Sequence, residues 1–381
     1  MPRLRHLGLS VGRLTPGPLN AITDVEGVRV GHRTVVEDRT DAAGRPVAVR
    51  TGVTVVQPRP GPARSQPCYA GSATLNGNGE MTGLEWVRES GLLTTAVAIT
   101  NTHSVGVVRD ALVADDSATA LSEEFWSMPV VAETWDGLLN DLHGQHVTAQ
   151  HVRDALADAS GGPVAEGCVG GGTGMVCHGF KGGIGTASRR LGEADGGWTV
   201  GALVQSNYGE RHALRVDGVP VGRLIGFDEV PAPGAQAAPS ALPPGSGSII
   251  VVLATDAPLL PDQCQRLARR AGTGLARLGG GTQDGSGDIF LAFATGNRTL
   301  PPETYLATAA TTVKVSTVPH QRLDPLLEAA AEATEEAVLN ALLAATTTTG
   351  HRGRTVHALP ARRLREVMAA YAPGAFRPAA P

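Results

Sequence analysis

Short apolar runs, separated by polar or glycine-rich stretches, recur along the chain and set the strongest limit on its fold. Runs of this length predict β-strands, and several are continuously apolar, which predicts strands covered on both faces. We therefore expect sheets that are buried between other layers. The predicted strands cover residues 27–30, 47–56, 92–100, 200–205, 248–255, 289–294 and 311–316.

Helical patterns lie between these runs. Thr82 and Glu85 have the spacing of a capping box that opens a helix over residues 84–89. Residues 147–159 and 261–278 have amphipathic spacing. The clearest helix covers residues 324–345, with Leu, Ala and Val on one face and Glu on the other.

The composition is that of a globular protein, because 42% of the 381 residues are hydrophobic and 18% are charged. The net charge of -4, without a basic stripe, argues against nucleic acid and anionic membrane surfaces as partners. No apolar stretch reaches the roughly 18 residues that a membrane span needs, and no signal-peptide pattern begins the chain. We therefore expect a cytoplasmic protein.

Cysteine spacing gives no indication of a metal site. The four cysteines are Cys68, Cys168, Cys177 and Cys264. They form no C-x-x-C pair and match no zinc template. We expect isolated reduced thiols.

A segment rich in Pro, Ala and Gly, residues 231–247, interrupts the alternation of strands and helices and ends in Gly247-Ser248 before a predicted strand. Its composition is typical of a surface linker. A hydroxyl residue that follows Gly and opens a buried strand is also the sequence form of an N-terminal nucleophile. Once freed, the α-amine of such a residue, with a pKa of about 7.7–8.0, can act as general base. Ser246 is a competing nucleophile in the same run.

Two further polar groups stand at predicted strand ends. Ser286 and Asp288, two residues apart, should point to the same side and could orient a nucleophile or stabilise an ammonium; an ordinary turn is the alternative. Asn207 follows an apolar run, where its amide could donate to an oxyanion. A turn containing Asn is the alternative, and the residues of this segment alone favour it.

Three carboxylates, Glu133, Asp136 and Asp141, lie close together beside apolar residues. One of them could pair with a substrate ammonium, and helix capping or solvated charge is the alternative. Histidines give no triad pattern, so we expect His103 and His178 to be structural.

The segment 170–189 is dense in glycine but lacks the G-x-x-x-x-G-K-[ST] motif of phosphate loops. We expect tightly packed backbone beneath a site. Only two of the 32 basic residues are lysines, Lys181 and Lys314. A lysine kept in an arginine-rich chain indicates a position that needs an amine, and Lys181 is therefore a candidate substrate-binding residue.

Eight segments together resemble the DmpA/BapA-type aminopeptidases, the L-aminopeptidase/D-esterase and β-aminopeptidase group of serine peptidases. They occur in order over nearly the whole chain. The segments are NAITDVEGVRVGH (20–32), NGNGEMTG (76–83), NTHSVGVVRDAL (101–112), VVAETWDGLLND (130–141), GGGTGMVCHGFKGG (170–183), QSNYG (205–209), GSIIVVLATDAPLLP (247–261) and GSGDIFLAF (285–293).

The resemblance implies a four-layer αββα sandwich within the α/β (α+β) class. It implies cleavage between Gly247 and Ser248 into an α fragment, 1–247, and a β fragment, 248–381, which together form one domain. It also implies a homotetramer of processed αβ units that acts on small peptides or amino-acid amides and needs no metal or cofactor.

The resemblance also assigns roles by position. Ser248 matches the nucleophile, Ser286 and Asp288 match the pair beside the new N-terminus, and Asn207 matches the oxyanion donor. Glu133 matches the carboxylate that holds the substrate amine. Trp135 departs from the Tyr that is usual in the family, and a Trp N–H can donate but not accept.

Three alternatives stay open. A nylon-oligomer-type amidase has the same architecture but uses Thr as nucleophile, and an acyltransferase of this fold would transfer the acyl group to an amine. The third is a binding protein with an uncut linker and no catalytic activity.

Overall fold

A computed structural model describes residues 2–41, 43–120, 125–236, 247–303 and 311–376. The described strands are β1 (Arg29–Thr40), β2 (Pro46–Gln57), β3 (Cys68–Gly77), β4 (Leu92–Leu93), β5 (Val97–Asn101), β6 (Val130–Thr134), β7 (Val176–Cys177), β8 (Phe180–Lys181), β9 (Gly183–Arg190), β10 (Thr199–Asn207), β11 (Gly247–Thr255), β12 (Ser286–Ala294), β13 (Thr348–Thr349) and β14 (Thr355–Val356). The described α-helices are α1 (Leu84–Ser90), α2 (Val105–Ala118), α3 (Ala149–Asp158), α4 (Val221–Leu224), α5 (Pro261–Arg277), α6 (Asp324–Ala344) and α7 (Ala361–Tyr371).

The larger sheet has six strands in the order β4-β3-β12-β11-β10-β9. β11 and β12 run parallel, and the other neighbours in this sheet are antiparallel. Parallel neighbours need a crossover connection, and α5 forms part of it here. Every residue of β11 and β12 is buried, as their continuous apolar sequence predicts.

The smaller sheet has four strands in the order β1-β2-β5-β6. Its parallel pair is β5 and β6, with α2 in the connection between them. This pair ends at Asn101 and Thr134, which lie opposite each other in the register. Polar residues at the ends of two strands therefore meet at one edge.

Side chains of β11 alternate between two apolar layers. Ile249 and Val251 belong to the core that α5 and α6 cover. Ile250 and Val252 face the other way and pack with Ile99 of β5, so the two sheets lie face to face. A sheet buried on both sides gives this alternation without any polar face.

The outer face of the four-stranded sheet is covered by helices as well. Val53 and Ala98 pack there with Val108 of α2 and Val152 of α3. The layers therefore run helices, sheet, sheet, helices. The predicted four-layer αββα sandwich is confirmed.

One predicted strand is absent. Residues 311–316 are exposed, and their backbone is held by side chains: Asn297 bonds both the N–H and the carbonyl of Ser316, and Thr299 donates to the carbonyl of Lys314 at 3.3 Å. Without a neighbouring strand, β-propensity alone does not make a ladder. Among the longer described elements, β3, β6, β9, α2 and α7 had no counterpart among the predicted ones.

α6 is buried around most of its circumference, although its sequence has an acidic face. Arg189 of β9 lies against that face, bonding Glu332 at 2.9 Å and Glu336 at 2.8 Å, and Arg5 also bonds Glu336 at 2.8 Å. Burial alone would raise the pKa of Glu336, but the two arginines hold it below its ordinary value. Arginines from distant segments thus replace solvent around these glutamates.

The two predicted fragments share the six-stranded sheet. β3 and β10 precede Ser248, whereas β11 and β12 follow it, and β12 lies between β3 and β11. A cut before Ser248 would leave both pieces within one interleaved domain. Most of the predicted linker, residues 237–246 with Ser246, lies outside the described residues.

Within the described part of the chain, no helix combines the length and apolar character that crossing a bilayer requires.

Replacing Arg189 with Met should lower the free energy of unfolding by about 3–5 kcal/mol, because two buried carboxylates lose a partner. Urea denaturation followed by circular dichroism measures the loss. The control is Arg298→Met, whose exposed pair with Glu26 should contribute less than about 1 kcal/mol. Equal losses in the two variants would contradict a stabilising role for the buried pairs.

Candidate active site

Ser248 is the second residue of β11 and lies near the middle of the six-stranded sheet. It is opposite Gly287 of β12 on one side and opposite Asn207 of β10 on the other. Its side chain is buried with its residue at 5% exposure, and the N–H of Gly287 donates to its Oγ at 3.2 Å. Neighbouring strands therefore fix the hydroxyl in place.

Gly247 occupies a position that only glycine fits. A Cβ added there would lie 2.0 Å from the carbonyl oxygen of Asn207, far inside van der Waals contact. The obstruction is backbone, so a side-chain rotation cannot relieve it. The glycine before Ser248 is thus required by the close approach of β10.

Ser286 and Asp288 point to the same side, as their spacing predicts, and Ser286 Oγ donates to Asp288 Oδ1 at 2.6 Å. Asn76 Nδ2 donates to the other carboxylate oxygen at 2.7 Å. Burial raises the pKa of Asp288, whereas these donors and the N–H of Ile249 lower it. Ile249 is opposite Asp288 in the register, so the carboxylate lies against the backbone just after Ser248.

Asn207 shares the sheet face of Ser248, because residues directly opposite in an antiparallel pair point to the same side. Its Oδ1 accepts from the N–H of Val176 at 2.7 Å, and its Nδ2 donates to the carbonyl of Trp135 at 2.9 Å. A side-chain amide has two N–H donors. One is therefore used by Trp135, and the second can serve an oxyanion beside Ser248.

Glu133 lies at the end of β6, in the other sheet, and is 3% exposed. The N–H of Glu80 donates to its Oε1 at 3.0 Å, and Thr102 Oγ1 donates to its Oε2. Burial raises the pKa of Glu133, and the two donors lower it. A buried carboxylate with fixed donors suits an ammonium partner.

A cleft of about 340 Å³ opens between the sheets and brings Ser248 and Glu133 to one space. The ring of Trp135 lies beside Gly137, where an added Cβ would approach ring carbon Cζ2 to 2.6 Å. The cleft is lined by Asn78, Gly79, Glu80, Thr102, Glu133, Trp135, Gly247, Ser248 and Gly285.

This arrangement has the parts that acyl transfer requires. A hydroxyl, an amide donor and a carboxylate for a cation converge from three strands of two sheets. The profile of peptidase family S58 matches residues 20–356.

The chain belongs to peptidase family S58.

Two curated relatives have matching length. The β-peptidyl aminopeptidase BapA of Sphingosinicella microcystinivorans is 48% identical, over 97% of this chain and 92% of the relative. The BapA of Sphingosinicella xenopeptidilytica is 41% identical, over 98% of this chain and 92% of the relative.

Two solved structures match almost end to end. A β-aminopeptidase of Burkholderia sp. has a TM-score of 0.90 at 56% identity, covering 99% of this chain and 100% of its own. The L-aminopeptidase D-Ala-esterase/amidase of Ochrobactrum anthropi, a prototype serine aminopeptidase with a variant of the Ntn hydrolase fold, has a TM-score of 0.87 at 43% identity, with the same coverage. The predicted family, fold and hydrolase class, an aminopeptidase, are confirmed.

Lys181 is the one predicted substrate-binding residue of this S58 peptidase that does not line the cleft. It is fully buried, and its Nζ donates to three backbone carbonyls of the glycine-rich segment. Lys181 is therefore not placed to contact a substrate in the cleft.

Of the three clustered carboxylates, Glu133 alone is among the residues lining the cleft. Asp136 is fully buried, bonds Asn140 at 3.1 Å, and burial raises its pKa to about 7. Asp141 pairs with His146 at 3.0 Å.

The two histidines expected to be structural lie in different surroundings. His178 is fully buried, its Nδ1 lies 3.0 Å from the carbonyl oxygen of Glu210, and burial lowers its pKa to about 4. His103 is exposed and stacks on His143, with 5.3 Å between the ring centres.

Sequence reasoning missed the residues that support the predicted ones: Thr102 and Glu80 on Glu133, Asn76 on Asp288, and Gly287 on Ser248. All four lie inside segments that carry the family resemblance, NTHSVGVVRDAL, NGNGEMTG and GSGDIFLAF. Those segments signalled importance, but no spacing rule links them to Glu133 or Asp288.

Proposed function

We propose that this S58 peptidase cleaves its own chain between Gly247 and Ser248 and then uses Ser248 to release N-terminal residues from short peptides, amides or esters. The observation that carries the proposal is that Ser248, at the start of β11, shares one cleft with Glu133. The nucleophile and an ammonium-binding carboxylate thus face the same bound molecule.

Self-cleavage begins with attack of Ser248 Oγ on the carbonyl carbon of Gly247, which shifts the acyl group from nitrogen to oxygen. Water then hydrolyses the resulting ester. The products are a carboxylate on Gly247 and a free α-amine on Ser248. The Gly287 N–H at 3.2 Å holds the attacking oxygen in place.

In the mature enzyme, Ser248 Oγ attacks the substrate carbonyl and its own α-amine takes the hydroxyl proton. That proton passes to the leaving amine, and water hydrolyses the acyl-enzyme. Asn207 donates to the oxyanion. Asp288, whose carboxylate accepts a hydrogen bond from Ser286, lies against the backbone just after Ser248. From there it can stabilise the α-ammonium of Ser248 until the proton passes to the leaving amine.

Glu133 restricts the reaction to substrates with a free amine, because a buried carboxylate is stabilised by a cation in the cleft. The ring of Trp135 would contact the side chain of the released residue. No metal or cofactor takes part in these steps.

We further propose a preference for small N-terminal residues that includes β-residues. The two BapA relatives are named β-peptidyl aminopeptidases, and the Burkholderia structure is named a β-aminopeptidase. The Ochrobactrum relative is named for L-residues and D-Ala derivatives. A panel of β-Ala, L-Ala and D-Ala amides tests the preference.

The alternatives make different products. A nylon-oligomer-type amidase would hydrolyse aminohexanoate oligomers, an acyltransferase would favour an added amine over water, and a binding protein would stay uncut. Ser248 in place of Thr weighs against the first. The cytoplasmic location and the homotetramer stay predictions.

The intact mass of purified protein tests self-cleavage. The parent chain should give two fragments that meet between Gly247 and Ser248, whereas Ser248→Ala should give one full-length chain, because it lacks the attacking oxygen. One uncut chain in both samples after long incubation would overturn the mechanism and favour the binding protein.

Gly247→Ala should slow self-cleavage by about 100-fold, as expected when reacting atoms are displaced by an ångström. The added Cβ would lie 2.0 Å from the Asn207 carbonyl oxygen and push the scissile bond from its place. A time course of intact mass measures the rate. The control is Gly192→Ala, whose Cβ would meet nothing within 4 Å, and cleavage of Gly247→Ala at the parent rate would contradict the steric argument.

Thr102→Val should raise the pKa of Glu133 further, because a donor to the charged carboxylate is lost. Substrate ammonium binds the charged form, so affinity falls as the pH drops through that pKa. The acidic limb of 1/KM should therefore move to higher pH, by roughly one pH unit. Thr119→Val, at an exposed site, is the control, and an unmoved limb would remove Glu133 from amine binding.

A further inference from the structure

Lys181 has a contact pattern that the proposed mechanism does not use. Its Nζ donates to the carbonyls of Met175 at 2.8 Å, Gly182 at 3.0 Å and Gly172 at 3.4 Å. One buried ammonium therefore binds three carbonyls of the glycine-rich segment, between Gly172 and Gly182. An ammonium has three donors and no acceptor, and the thiol of Cys168 is a further side-chain partner of this Nζ.

The glycine-rich segment that Lys181 binds also forms a hydrogen bond with Asn207. The carbonyl of Met175 and the N–H of Val176 belong to the same peptide group. Lys181 binds that carbonyl, and Asn207 Oδ1 accepts from that N–H at 2.7 Å. Because a peptide group is planar and rigid, fixing its oxygen also fixes the direction of its N–H.

The Val176 N–H decides which way the Asn207 amide faces. Binding Oδ1 there leaves Nδ2 pointing to the Trp135 carbonyl at 2.9 Å and to the side of Ser248. A flipped amide would present oxygen to a developing oxyanion and repel it. Orientation of this amide therefore matters as much as its presence.

We propose that Lys181 is a positioning residue for the oxyanion donor, acting through the Met175–Val176 peptide on Asn207. This inference rests on the proposed function, since it assumes that Asn207 stabilises the oxyanion.

The site also explains why lysine occurs here in a chain in which only two of the 32 basic residues are lysines. The surroundings are tight, since a Cβ on Gly182 would lie 2.3 Å from the carbonyl oxygen of Ser206 and one on Gly172 would lie 2.4 Å from the nitrogen of Ile184. A compact ammonium can bind three converging carbonyls at one point, whereas a planar guanidinium spreads its donors.

The test compares Lys181→Met with Lys314→Met, the matched control at the other lysine, which is exposed. Lys181→Met should lower kcat about 10- to 100-fold, less than the roughly 10²–10³-fold loss for removing an oxyanion donor outright. KM should stay within about twofold, since the contacts to Glu133 are untouched. Rates are divided by the fraction of chains cleaved, which intact mass gives, and Lys314→Met should match the parent.

The same substitution in an Asn207→Ala variant distinguishes a positioning role of Lys181 from a general loss of structure. In Asn207→Ala, Lys181→Met should change kcat less than about threefold, because there is no amide left to orient. An equal loss in both backgrounds, a rise in KM alone, or an unchanged kcat would overturn the proposal. Lys181→Gln serves if the Met variant does not fold, and failure of both to fold would assign Lys181 to the fold and overturn it too.

The failure of the proposed function looks different. A parent chain that neither cleaves itself nor hydrolyses amides, or an Asn207→Ala variant as fast as the parent, would refute that function. A normal parent and an impaired Asn207→Ala beside a fully active Lys181→Met would refute the role of Lys181 alone.

Discussion

The parallel pairing of β11 with β12 is the interaction on which the rest of the site depends. It sets Gly247 opposite Ser286 and Ser248 opposite Gly287 at the start of both strands. A parallel pair has its two N-terminal ends at the same edge of the sheet, and the crossover through α5 makes that possible. β10 runs the other way and ends there with Asn207. Three polar strand ends therefore meet where the sheet is otherwise apolar.

The four-stranded sheet contributes the carboxylate of the site, Glu133, and one of its hydrogen-bond donors. β5 and β6 also run parallel, and their C-terminal ends bring Thr102 and Glu133 to the same edge of the sandwich. Burying a carboxylate between two sheets is unfavourable, and burial accordingly raises the pKa of Glu133. Donors from Thr102 and from the Glu80 N–H offset part of that cost. The cleft is thus placed where the ends of both parallel pairs leave polar groups uncovered by helices.

The sequence was sufficient for features that are local along the chain. Ser248, Asp288 and Asn207 each adjoin an apolar run, so strand ends could be predicted from composition. The partners of the site residues could not be predicted in this way, because Asn76 reaches Asp288 and Thr102 reaches Glu133 through sheet pairing and packing over long sequence distances. The acidic face of α6 shows the same limit, since Arg5 and Arg189 cover it from far along the chain. Residues 311–316 show the converse: their β-type sequence pairs with no strand among the residues that the structure describes.

Self-cleavage and peptide hydrolysis need an oxyanion donor at the same point relative to Ser248 Oγ. In the proposed mechanism, the same Asn207 amide must serve both, first for the Gly247 carbonyl and then for the substrate. The groups that orient the Asn207 amide must therefore keep their positions after the chain is cut. The Val176 N–H, the Met175 carbonyl and Lys181 all precede the linker, and Met175 and Lys181 are fully buried. Glycine makes this support possible, because three carbonyls can converge on one ammonium only where side chains do not keep the backbone apart. The backbone of the glycine-rich segment thus holds the side-chain amide of Asn207 in one orientation, whereas the end of β10 alone would leave that amide free to rotate.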